Sequence, residues 1–173
     1  MNVVRALVAL AAVLVALVLQ VTVFPQPAWY GVVPNLVLLV VVAAALTRGA
    51  QFAAVLGFVA GVLLDLAPPA DHVAGQWALA LVLVGYVAGR MQQQEVRPAA
   101  TAVVATVAAS SFVGTSVFAL LGIVLGEISM DVSSLLGVIA LSVLWDVLLT
   151  PFVLPLLMGM FRRLEPERER VPA

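Results

Sequence analysis

Residues Gly57–Asp71 read GFVAGVLLDLAPPAD, and their spacing decides what kind of chain this is. Ala50, Ala53 or Ala54, Gly57 and Gly61 recur every three to four positions, which places them on one face of a helix. Asp65 lies four residues beyond Gly61 and continues that face. Pro68 and Pro69 then end the helix. A smooth strip closed by one acid, in an otherwise apolar helix, implies close contact with another helix and an acid turned toward protein or water.

The surrounding composition supplies the solvent. Of the 173 residues, 64% are hydrophobic and only 10% are charged, against about 25% charged in a soluble domain. With a mean hydropathy of +1.20, no water-soluble fold of this size hides so much apolar surface, so the solvent is a bilayer. There is no cysteine, which excludes disulfides, thiolate metal sites and a catalytic thiol. The lone histidine, His72, falls in a loop and argues against a histidine metal site or a Ser-His-Asp triad. A net charge of −1 gives no sign of nucleic-acid binding.

Working outward, the pattern predicts one all-α domain over residues 1–173, a polytopic membrane protein of six transmembrane helices. The predicted spans are residues 4–23, 30–46, 50–65, 76–90, 99–125 and 134–161, with a cytoplasmic tail over 162–173. The first resembles a signal peptide, but no small-x-small cleavage site follows, so it reads as an uncleaved span. Pro34 opens the second helix, since proline is tolerated in a first turn, and Asn35 follows it. The apolar part of this segment covers roughly 18 Å, short of a bilayer core of roughly 30 Å. Thr47-Arg48-Gly49 turns the chain into the third helix, and the two short segments form a hairpin. Pro151 and Pro155 predict a kink in the sixth span.

All the basic residues are arginines, at positions 5, 48, 90, 97, 162, 163, 168 and 170. With six spans, every one falls on the side of the termini. The positive-inside rule then puts both ends in the cytoplasm, and removing one span would scatter the arginines across both sides. The opposite loops hold Asp71, His72, Glu127 and Asp131, with Asp65 at their edge.

Three small-xxx-small motifs are present: Gly57/Gly61, Gly85/Gly89 and Gly122/Gly126. Glycine lets helix backbones approach closely in lipid, and such a face serves packing within the chain or docking of a partner's helix. Asp146 lies inside span six, flanked at four residues on either side by Ser142 and Thr150. An acid at bilayer depth faces protein or a water-filled cavity. It is read as a substrate or ion contact, as an anchor for a partner, or as a buried group held by hydroxyls or backbone. Ser110, Ser111, Thr115 and Ser116 cluster in span five, where helix–helix hydrogen bonding is the expected role. A membrane serine protease needs a histidine or lysine at membrane depth, and the chain supplies neither. Asp65 and Asp146 do not make the clustered acids of a metal-dependent lipid phosphotransferase. No catalytic, cofactor or metal site is expected.

The order of motifs is distinctive. Pro34-Asn35-Leu36-Val37-Leu38-Leu39 leads to Arg48-Gly49. Then come Gly57-Phe58-x-x-Gly61-x-x-x-Asp65, Gly85-Tyr86-x-x-Gly89 and a late Thr150-Pro151. Together with the size and six spans, this resembles the rod shape-determining protein MreD family, most densely over Pro34–Arg90. Where that family often has Asp after the proline, this chain has Asn35.

The resemblance implies a non-enzymatic scaffold of the elongasome in the bacterial cytoplasmic membrane. It implies an MreC-like single-pass partner, and a link between cytoplasmic MreB, the glycosyltransferase RodA and a class B penicillin-binding protein. It also implies a fold similar to the substrate-binding subunits of energy-coupling-factor transporters. The alternative function is therefore a small-molecule (vitamin) binding subunit of such a transporter, for which a midplane polar strip and two short helices fit. The lipid bilayer itself and a second copy of the chain complete the expected partners.

Overall fold

The computed structural model describes residues 3–24, 32–68, 72–92, 99–127 and 131–163. They form six helices: α1 (Val3–Thr22), α2 (Leu36–Arg48), α3 (Ala50–Asp65), α4 (Gln76–Gln92), α5 (Ala100–Val124) and α6 (Val132–Arg163). By length and apolar composition α1, α5 and α6 can each cross a membrane, while α2, α3 and α4 are shorter apolar helices. The expected loops around residues 25–30 and 93–98, Asp71, Arg97 and the tail from 164 onward lie outside the described residues.

The shortest helix is the centre. Every residue of α2 from Leu36 to Leu46 is buried, and α2 touches all five other helices. Its 13 residues rise about 20 Å, and protein surrounds it on every side. That is the condition under which a short helix and the non-helical backbone leading into it are tolerated at membrane depth. Val32, Pro34 and Asn35 in that lead-in are themselves buried.

The helix starts at Leu36, later than the expected residue 30. Pro34 is not its first turn, because Asn35 is the N-cap, its side chain accepting the Leu38 N–H at 2.9 Å. Gly49, at φ 80 and ψ 178, ends α2 and directly precedes α3. This backbone region is open essentially to glycine alone, so the connection is a single residue.

The main partner of α3 is α4, not α2 as a simple hairpin predicts. Their glycines interlock in antiparallel register. A Cβ on Gly57 would strike the Leu81 carbonyl, and one on Gly61 the Ala78 backbone. In return, a Cβ on Gly85 would lie 2.5 Å from the Ala53 carbonyl oxygen, and one on Gly89 would strike Ala50. The two backbones are thus in direct contact along the whole seam, where dispersion replaces the hydrophobic effect as the attraction between helices in lipid.

The third glycine motif works differently. Gly126, at φ 77, ends α5 with the paired bonds Gly126 N–H to Ile123 carbonyl at 3.1 Å and Glu127 N–H to Gly122 carbonyl at 2.8 Å. α6 runs as one helix through Pro151 and Pro155, which leaves the Val147 and Pro151 carbonyls without their usual helical donors.

Charge is sorted by end. Gly89 packs on Ala50, so Arg90 and Arg48 share one end. Phe161 meets Phe52 edge-on at 6.4 Å, which brings Arg162 and Arg163 there too. Ala6 lines a groove with Arg48, which places Arg5 at the same end. At the other end sit Asp65, His72, Glu127 and, at the start of α6, Asp131.

Candidate functional site

Burying a helix end leaves its first N–H groups with no water to bond. Two carboxyl groups of this chain answer that problem, each for a helix other than its own.

At the start of α2, four side chains converge from three other elements and from the cap itself. The Asn35 N–H donates to Asp146 Oδ1 of α6 at 2.7 Å. The Val37 N–H donates to Gln20 Oε1 of α1 at 3.2 Å, and the Leu38 N–H donates to Asn35 Oδ1 at 2.9 Å. The Ser111 hydroxyl of α5 donates to Asp146 Oδ2 at 2.7 Å. All four side chains belong to buried residues, with Asp146 1% and Ser111 0% exposed. The acid sits where the α2 dipole favours negative charge, and it joins α6, α5 and α2 at one point.

Ser142 and Thr150 do not share in this. Their hydroxyls donate back along α6, to the Val138 carbonyl at 2.9 Å and the Asp146 carbonyl at 2.8 Å. The strip expected from spacing is therefore three separate groups, of which only the carboxyl reaches another helix. In the serine cluster of α5, Ser111 makes the expected interhelical bond, while the Ser116 hydroxyl has no partner among the described residues.

At the opposite end, Asp65 is the last residue of α3 and caps the start of α4. Its Oδ2 accepts from the Gly75 N–H at 2.8 Å and the Ala78 N–H at 3.1 Å. Its Oδ1 accepts from the Trp77 N–H at 3.0 Å and contacts His72 Nε2 at 3.1 Å. Expected at a solvated loop edge, Asp65 is instead 3% exposed, because three backbone donors and the imidazole close around it.

Aromatic packing fixes this corner to α5. Trp77 stacks on Phe118 with centroids 4.5 Å apart, and His72 meets the same ring edge-on at 5.2 Å. Glu127 adds a clasp from beyond α5, accepting from the Val73 N–H at 2.6 Å and from the Gln76 side-chain amide. Asp131 caps α6 from outside the bundle. The Ser133 and Ser134 hydroxyls, with their N–H groups, hold its carboxyl down at about 2.

Sequence reasoning missed Gln20, Ser111 as a specific partner, and Glu127. Gln20 carried a signal, being the one strongly polar side chain of α1 besides Arg5, set in the last turn of an apolar run. The partnership of Ser111 with Asp146 carried none, since 35 residues separate them. The glycines Gly57, Gly61, Gly85 and Gly89 face each other across α3 and α4, so they serve packing within the chain.

The arrangement ties helices together; each of its acids is already engaged by donors of the chain. Among the described residues, no group of three or more His, Cys, Asp or Glu side chains is placed to hold a metal ion. The profile of the family described as rod shape-determining protein MreD matches residues 1–160. No curated protein sequence and no solved structure matches the chain.

Proposed function

Because the chain belongs to the MreD family, whose role is rod shape determination, we propose that it is a non-enzymatic membrane scaffold of the cell-elongation machinery. In this reading the six helices all span the bacterial cytoplasmic membrane, with both termini and the arginine end in the cytoplasm. The clustering of Arg5, Arg48, Arg90, Arg162 and Arg163 at one end supports that orientation. An MreC-like single-pass protein docks on the bundle, which helps couple MreB on the arginine side to RodA and a class B penicillin-binding protein.

The observation that carries the scaffold reading is the engagement of both interior acids as helix caps, Asp146 on α2 and Asp65 on α4. Polar groups inside the bundle are spent on holding helices in register, as a rigid platform requires. The glycine seam is spent in the same way, which moves partner docking to the outward faces of α1, α5 and α6. The vitamin-binding alternative gains nothing from Asp146, both of whose oxygens are occupied.

Photocrosslinking from α1, α5 and α6 in the native membrane, followed by purification, tests the proposal. Recovery of a single-pass MreC-like protein is the expected result. Recovery of a pair of transport ATPases in its place would overturn the reading in favour of the transporter subunit.

A further inference from the structure

Between α1 and α3 lies an open groove of about 670 Å³. Ala6 and Leu10 line it from α1, and Phe52, Val55 and Val59 from α3, with Arg48 at one end. From Arg48 to Val59 the groove runs about 16 Å along α3, close to the hydrocarbon depth of one leaflet, half of roughly 30 Å. Its chemistry changes along that length. The far part is apolar, while the near end presents Arg48 and Gln51. The Arg48 guanidinium lies 5.6 Å over the Phe52 ring, which fixes it at the groove mouth. Among the described residues no carboxylate pairs with it. An apolar slot one leaflet deep, ending in a planar cation whose fork matches phosphate oxygens, has the charge and shape of one kind of molecule.

We propose that this groove binds an anionic phospholipid of the leaflet at the arginine end, with an acyl chain along α3 and the phosphate on Arg48. A partner's helix fits less well. Helices meeting in lipid favour small residues at the contact, and those of α3 already face α4. The wall that α3 turns to the groove is branched and aromatic.

Native mass spectrometry of the full chain in mild detergent, titrated with phosphatidylglycerol or phosphatidylcholine, tests the site. Wild type should retain one phosphatidylglycerol in preference to phosphatidylcholine. Arg48→Gln should weaken phosphatidylglycerol retention about tenfold, the worth of a charge-assisted hydrogen bond, and phosphatidylcholine retention by less, because the choline cation offsets the charge of its phosphate. Val55→Trp, at a position 57% exposed and so free of packing demands, should weaken both by filling the slot; Val59→Trp is the second variant should the first not fold. Equal phosphatidylglycerol retention by wild type and Arg48→Gln overturns the proposal. So does competition by inorganic phosphate as effective as that by the lipid, or a photocrosslink from Val55 that captures a protein helix.

Discussion

Asp65 and Asp146 solve the same problem in different settings. Each carboxyl caps a helix other than its own, and each is almost wholly buried, at 3% and 1% exposed. Asp65 reaches donors 7 to 13 residues further along the chain, through one connecting loop. Asp146 reaches a donor 111 residues away. Around Asp65 stand partly buried His72 and exposed Val73 and Gly75, so water lies one layer away. Asp146 lies in the middle of a 32-residue apolar helix, at a depth where protein must supply every partner. The comparison teaches that a cap's worth depends on what would replace it. At the rim, water and the glycine seam stand in. At the centre nothing does.

The seam gives the largest expected effect. Gly57→Leu drives a side chain into the Leu81 backbone, so α3 and α4 cannot close, and little folded protein should survive size-exclusion chromatography in detergent. Survival with normal yield would show that α3 and α4 do not need the seam. In that case Asp65 alone holds them, and the redundancy argued for the rim is wrong.

Next comes Asp146→Leu, which leaves the Asn35 N–H and the Ser111 hydroxyl without an acceptor. The loss should be about 2–4 kcal/mol, at about 1–3 for each stranded buried group with partial relaxation, read from unfolding in mixed micelles. Asp65→Ala should cost less, about 1–2 kcal/mol in the same assay, since water can reach the freed donors. A larger loss from Asp65→Ala than from Asp146→Leu would reverse the argument from depth. Gln20→Leu, which frees only the Val37 N–H, should cost about 1 kcal/mol.

The smallest effect belongs to Asp131, which caps α6 in water. Its carboxyl is lowered from 3.8 to about 2 by the Ser133 and Ser134 hydroxyls and N–H groups. A carboxyl whose folded value lies below its unfolded one adds stability above about pH 4 and loses it as pH falls toward 2. An acid titration of unfolding should therefore show a small loss in that window that Asp131→Asn abolishes. An unchanged acid limb in the variant would remove Asp131 as its source.

How much of this was legible in the sequence follows the same division. The helical spacing of the glycines between Gly57 and Gly89 and the gathering of arginines at one end were readable, because the first repeats along a helix and the second sorts by loop. The pairing of α3 with α4 was not, since the short turn at Gly49 pointed to α2. The central place of α2 was not. A helix apolar all round is either a membrane span or a buried core, and inside a membrane chain these look alike. Asp146 was visible as an acid at depth, but its partners were not, since nothing in local spacing links it to Asn35. Spacing pointed instead to Ser142 and Thr150, whose hydroxyls prefer the nearer carbonyls of their own helix. Asn35 shows why the cap itself needs no charge at that residue: its amide oxygen takes the Leu38 N–H, and the acid arrives from α6.

Replacing each acid by its amide separates the two caps most directly. Asp146 meets one N–H and one hydroxyl, and an amide satisfies both, its oxygen accepting from Asn35 and its NH2 donating to the Ser111 oxygen. Both oxygens of Asp65 accept from backbone N–H groups, so an amide NH2 on either side must face a donor. Unfolding free energies of Asp146→Asn and Asp65→Asn, measured in the same micelles, should place the first within about 1 kcal/mol of wild type and the second level with Asp65→Ala. If Asp146→Asn instead costs as much as Asp146→Leu, Asp146 does not hold α2 through these two hydrogen bonds, and the central anchor of the bundle lies elsewhere.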